Sequence, residues 1–169
     1  VTAVAAHPEH ALLTAALCAD FSNVQVVLDV PHRVPFRGLF DLVVIAGYHE
    51  VFLAQSEVLS PLNHLFGRAY SALAANGSLM HAGHNELALR HFNDQRDAYA
   101  REGVLPLEGR FGAGRPQLLS LSAVAASLAR CGFERQDHCA VMGSIKHPRL
   151  MVSPQGCDLS AERWNLETL

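Results

Sequence analysis

His49 and Glu50 stand side by side just past an apolar run, Leu42 to Tyr48. An imidazole or carboxylate placed there can act as a general base or position a substrate. Ten histidines also raise metal ligation as a question. His81 and His84 form a close pair, but across a strand end they do not converge. His7 and His10 fit the first turn of a helix, and no third ligand is spaced to complete either set. The expectation is therefore no metal, with the histidines solvated or in the core. Cys18, Cys131, Cys139 and Cys157 are scattered without a Cys-x-x-Cys pair, which reads as reduced thiols of a cytoplasmic protein. Cys131, in a helix-ending Cys-Gly-Phe, reads as buried, which is not the open, electropositive setting a nucleophile needs. Asp29 ends a short apolar segment, where a carboxylate either caps a turn or faces a ligand.

These groups must be held by ordered elements, and the sequence supplies them. Val1 to Ala6 reads as a strand, and Pro8 fits the first turn of a helix that carries Leu12, Leu13, Ala16 and Leu17 at helical spacing. Val24 to Leu28 reads as a second strand, followed by a stretch in which Pro31 and Pro35 exclude helix and inner strand. Phe40 to Gly47 is apolar at nearly every position after Asp41, the pattern of a strand buried on both faces. Leu62, Leu65, Phe66, Ala69, Tyr70 and Leu73 recur at helical spacing from Pro61 to Ala75, and Asn76-Gly77 gives the stop. Ser78 to Ala82 reads as the next strand. A polar helical stretch from Asn85 to Glu102 and a Gly-rich connection from Gly109 to Pro116 follow. Ser120 is the N-cap of a helix from Ala123 to Arg130, which Gly132 ends. Extended segments near His138 to Met142 and Arg149 to Val152 complete the set, with Met80, Met142 and Met151 expected in the core.

Strands alternating with helices, then a final strand pair, predict an α/β fold: a doubly wound, Rossmann-like, mostly parallel sheet with a late antiparallel strand. Residues 1–153 form the domain, and 154–169 a tail or boundary segment. Ligands of such sheets lie at the carboxyl ends of the strands. That singles out Ala5 to His7, Asp29 to Pro35, Ala46 to Glu50 and His81 to Asn85. At 169 residues, 50% apolar and with a net charge of -3, the chain can bury a core but lacks the basic surface that nucleic acid or anionic membranes require. The longest apolar run is far short of the roughly 20 residues of a membrane span, and no signal peptide is visible.

The order of these motifs resembles the later part of a class I S-adenosylmethionine-dependent methyltransferase. Leu39-Phe-Asp-Leu-Val-Val-Ile-Ala-Gly-Tyr-His-Glu50 is similar to that family's fourth strand and the turn beside its cofactor. Leu73-Ala-Ala-Asn-Gly-Ser-Leu-Met80 is similar to the lead into its fifth strand, and Leu121 to Phe133 to its late helix. More narrowly, Asn85-Glu-Leu-Ala-Leu-Arg-His-Phe92 and Lys146-His-Pro148 resemble methyltransferase domains associated with bacterial glycosyltransferases and polysaccharide synthesis. The resemblance implies S-adenosylmethionine bound across Ala5, Asp29, Val30, Ala46, Gly47 and Tyr48. It implies His49 and Glu50 as catalytic groups, His84 and Asn85 on the substrate side, and a small hydroxyl-bearing or glycan acceptor.

Two departures bear on activity. The family's first Gly-rich motif is absent from this sequence, which opens at what resembles the second strand and has no initiator Met; a fragment or processed chain is expected. Where the family has an acidic residue for the ribose hydroxyls, this chain has Ala5 and Ala6. The alternatives to a methyltransferase are a non-catalytic scaffold of the same fold in a glycan-assembly protein, or another nucleotide-handling α/β protein. A sheet without its central strand exposes an edge, so that strand, a partner domain or a second copy is expected to cover it.

Overall fold

The computed structural model describes residues 1–31, 33–47, 61–85, 119–143 and 148–152. The chain divides into two compact units, Val1–Gly132 and Phe133–Leu169. The expected helical stretch beyond Asn85, the Gly-rich connection from Gly109 to Pro116 and the tail 154–169 lie outside the described residues, as do Tyr48, His49 and Glu50.

The first unit opens with strand β1 (Thr2–Ala5), helix α1 (Pro8–Leu17) and strand β2 (Gln25–Leu28). β1 and β2 pair in parallel from Thr2 opposite Gln25 to Ala5 opposite Leu28, and a parallel pair requires a crossover, here α1. Backbone bonds extend the ladder past both ends, from Gln25 N–H to the Val1 carbonyl at 2.9 Å and from Asp29 N–H to the Ala5 carbonyl at 3.2 Å. Pro8 occupies the first turn of α1, where its missing N–H costs nothing. The helix buries no residue; Leu12, Leu13 and Leu17, expected to face a core, are exposed.

Strand β3 (Phe40–Ala46), helix α2 (Pro61–Ala72) and strand β4 (Leu73–Ala82) form the second parallel pair. Phe40 pairs with Leu73 and Leu42 with Ser78, so Ala74 to Gly77 bulge out opposite Asp41. Asn76 takes a left-handed φ of 67° in that bulge. A Cβ on Gly77 would lie 2.8 Å from the Phe40 carbonyl oxygen, a backbone atom that cannot swing aside. The Asn-Gly stop read from the sequence is thus a tight turn that lets β4 rejoin β3.

The core of this unit is the inner face of α2, with Leu65, Phe66, Ala69 and Ala72, together with Ile45 of β3 and Val124 and Leu128 of helix α3 (Leu121–Arg130). Ser120 caps α3 by accepting from the Ala123 N–H at 3.3 Å, and Gly132 ends it with a φ of 100°.

The expectation that β3 is buried on both faces is corrected. Ile45 is 9% exposed, but its neighbours Leu42 and Val44 are 55% and 57% exposed, and Met80 on β4 is 57% exposed. Side chains of a strand alternate between faces, and among the described residues α2 lies on one face only. Met80 is accordingly a surface residue; Met151, in the second unit, is also exposed, so neither lies in a core as expected.

The second unit contains β5 (Ala140–Gly143) and β6 (Pro148–Val152), paired antiparallel with Ala140 opposite Val152 and Met142 opposite Leu150. The architecture is α/β, with parallel pairs β1-β2 and β3-β4 and a late antiparallel pair.

Candidate functional site

The last residues of β1 and β4 accept backbone bonds from the residues just past β2 and β3. Asp29 N–H donates to the Ala5 carbonyl, and Gly47 N–H donates to the Ala82 carbonyl at 2.8 Å. Gly47 then leaves β3 with a φ of 67°, a conformation that costs a side-chain-bearing residue about 1 kcal/mol or more. The carboxyl ends of the strands are therefore fixed points from which loops depart.

A cavity of about 730 Å³ opens beside them. Leu42, Val43, Val44, Ile45 and Ala46 all line it in unbroken succession. A cavity over one face would meet every second residue, so this one runs along the edge of β3 that β4 does not occupy. Val4, Ala5 and Ala6 line the facing side. The cavity thus lies between the two parallel pairs, bordered by one edge of each.

Its carboxyl end is formed by Ala5, Ala6 and His7 after β1, Val30 and Pro31 after β2, and Ala46 and Gly47 after β3. Three of the four segments expected at this edge converge there. The fourth, His81 to Asn85, is not among the lining residues; Asn85 forms an isolated parallel bridge with Leu119, and His84 lies beside it in sequence. Asp29 is exposed and its Oδ1 accepts from the Val30 N–H at 2.6 Å. That contact engages one carboxylate oxygen in the turn, and Val30 rather than Asp29 is among the lining residues.

At the other end, Arg68 of α2 donates from Nη2 to the Val34 carbonyl at 2.9 Å, holding the connection between β2 and β3 against the helix. Val34 is buried, as that tether requires.

His7, His10 and Thr14 also line the cavity. At i, i+3 and i+7 they form one polar stripe along the start of α1; the sequence places His7 at this strand end, whereas it raises His10 only as a metal ligand. Arg68 carried no sequence signal, because its role depends on where the β2–β3 connection runs. Among the described residues, no group of three or more His, Cys, Asp or Glu is arranged to hold a metal. Cys18, Cys131 and Cys139 are free thiols. Cys131 is half-buried, and that burial pushes its thiol up, partly offset by the charge of Arg130.

Solved structures of similar fold include two described as methyltransferases. One is a SAM-dependent methyltransferase from Methanosarcina mazei, with a TM-score of 0.61 and 12% identity over 89% of this chain and 77% of that one. The fold is that of the class I methyltransferases. A protein assigned as a sarcosine dimethylglycine methyltransferase from Galdieria sulphuraria has a TM-score of 0.53 and 11% identity over 84% of this chain. The YcgJ protein from Bacillus subtilis has a TM-score of 0.54 and 14% identity over 84% of this chain. This chain spans 54% of the YcgJ protein and 46% of the Galdieria protein, about half of each. No family model matches the sequence, and no curated protein matches it. Among the described residues, no helix is long and apolar enough to cross a membrane.

Proposed function

We propose that residues 1–132 bind the adenosyl part of S-adenosylmethionine at the carboxyl end of this cavity, as part of a methyltransferase acting on a small hydroxyl-bearing acceptor. What carries the reading is one convergence: residues following β1, β2 and β3 meet in a single cavity, at the end where sheets of this type take nucleotides.

The residues present fit the group. Val30, Pro31 and Ala46 offer apolar walls to a flat base, and Gly47 lets a ligand approach the backbone closely. When bound, S-adenosylmethionine supplies a methyl group on a sulfonium, an electrophile that needs mainly an aligned nucleophile. In this chain His49 and Glu50, two and three residues past Gly47, are the groups proposed to hold the acceptor hydroxyl or take its proton. Tyr48 is proposed to flank the base, and His84 and Asn85 to contact the acceptor. A glycan is the proposed acceptor class, supported by the segments Asn85 to Phe92 and Lys146 to Pro148.

Calorimetric titration with S-adenosylhomocysteine tests this without the acceptor. Binding at micromolar concentration that is lost in Ala46→Trp, which fills the carboxyl end of the cavity, is expected. No heat at millimolar ligand would overturn the enzyme reading and leave a non-catalytic domain of methyltransferase fold.

A further inference from the structure

The wall of the cavity nearest the end of β1 has an unusual composition for a nucleoside site. The strand ends in Ala5 and Ala6, which carry no polar side-chain atom, and the usual means of holding a ribose in such sheets is a carboxylate that accepts from its hydroxyls. No carboxylate is among the described residues that line the cavity. The polar residues that line the cavity from this side are Thr2 at the start of β1, His7 at the N-cap of α1, and His10 and Thr14 within α1; of these, His7 and His10 stand nearest the end of β1 in sequence.

The two imidazoles form one unit. Their centroids are 5.6 Å apart and their planes cross at 84°, so both rings share one side of the first helical turn. His7 stands at the N-cap of α1, yet its side chain makes no capping bond; it is not committed to the helix. A neutral imidazole carries one donor and one acceptor. Two of them, with the Thr14 hydroxyl one turn further along, supply the mixed set of donors and acceptors that a vicinal diol requires.

We propose that His7 and His10 are the ribose-binding residues of this chain, taking the two hydroxyls of an adenosyl ligand where a carboxylate would otherwise stand. The assignment rests on the adenosyl-binding reading above, and it adds a consequence that reading lacks. Recognition of the sugar is supplied by groups that can both donate and accept, on a helix rather than at the strand end.

The test pairs a change in the protein with a change in the ligand. Adenosine and 2′,3′-dideoxyadenosine are titrated calorimetrically into the wild-type chain and into H7A, H10A and the double variant. Wild type should prefer adenosine by roughly tenfold, the worth of about two neutral hydrogen bonds. The double variant should bring that preference below about twofold while binding dideoxyadenosine as wild type does. H7N, which keeps a donor and an acceptor and suits an N-cap, should restore part of the preference. Ring-nitrogen NMR of the histidines should show two signals, absent in the variants, that move with adenosine and not with dideoxyadenosine. An equal loss for both nucleosides, or an unchanged preference in the double variant, would overturn the assignment while leaving the adenosyl site standing. If wild type binds neither adenosine nor S-adenosylhomocysteine, the functional reading fails and this assignment fails with it.

Discussion

The ring of His81 on β4 meets the ring of Phe66 on α2 edge to face, with centroids 5.2 Å apart and planes at 85°. Phe66 is fully buried, and burial lowers the His81 pKa below its ordinary value of 6.5. Above that value the imidazole is neutral in folded and unfolded chains alike, and no stability is lost. Below it, the unfolded chain takes up a proton that the folded chain resists, so stability falls as the pH drops through and below about 6.5. Urea midpoints should therefore decline between pH 7.5 and pH 5, and His81→Leu should flatten that decline. An equally steep decline in the variant would place the acid sensitivity elsewhere.

Helices α2 and α3 are joined by a buried polar contact whose two ends are not equivalent. Ser127, fully buried, donates from Oγ to Asn63 Oδ1 at 2.5 Å, and Arg130 Nε reaches the same oxygen at 3.4 Å. Removing the serine hydroxyl leaves the Asn63 oxygen with a second donor. Removing the asparagine leaves a buried hydroxyl without its acceptor, the costlier loss. Ser127→Ala should lower stability by about 1 kcal/mol and Asn63→Leu by about 2 to 3 kcal/mol, measured by denaturant unfolding. The reverse order would mean that the serine finds another partner.

How far the sequence reveals this protein depends on which face of an element is asked about. α2 was readable because Leu65, Phe66 and Ala69 recur at helical spacing between polar residues, and that spacing names the buried face. β3 was readable as a strand but not in its surroundings. Leu42, Val44 and Ile45 are all apolar, so the pattern is the same whether one face or two are covered. α1 misled for a related reason: its leucines fit a core-facing stripe, yet His7, His10 and Thr14 are the residues turned toward the cavity. Ala5, Val30, Ala46 and Gly47 can be placed at the carboxyl ends of the strands from the sequence, because strand ends follow from strand positions, and all four line the cavity. Arg68 was not, since its tether to Val34 joins segments 34 residues apart.

Three glycines should respond differently to the same alanine substitution. At Gly132 the φ of 100° opposes any side chain, and a Cβ would lie 3.0 Å from the Tyr70 ring; Tyr70 is half exposed and can yield. Gly132→Ala should therefore cost about 1 to 2 kcal/mol, the cost of the backbone conformation. At Gly77 the obstacle is the Phe40 carbonyl oxygen at 2.8 Å, so Gly77→Ala must shift the β3–β4 turn and should cost more. At Gly67, inside α2, a Cβ meets nothing within 4 Å, and Gly67→Ala should stabilise by about 0.5 to 1 kcal/mol. Thermal midpoints of the three variants supply the ranking, and a destabilised Gly67→Ala would show that this face of α2 is occupied.

Val44 and Ile45 are adjacent in sequence and face opposite sides of β3, which makes them a test of whether the outer face is open in solution. Ile45 is buried and stands in register with His81, whereas Val44 is exposed beside Met80. A lysine at position 45 would place a charge in the core without a partner, at a cost of several kcal/mol that a domain of ordinary stability does not survive. A lysine at position 44 would stand in water and change stability by no more than about 0.5 kcal/mol, while reducing the apolar patch formed with Leu42 and Met80. Circular dichroism melts should therefore show Ile45→Lys unfolded and Val44→Lys folded, with sedimentation of the latter reporting less self-association. If Val44→Lys unfolds as readily as Ile45→Lys, the outer face is packed against something in solution, and β3 has the two covered faces that its unbroken apolar run first suggested.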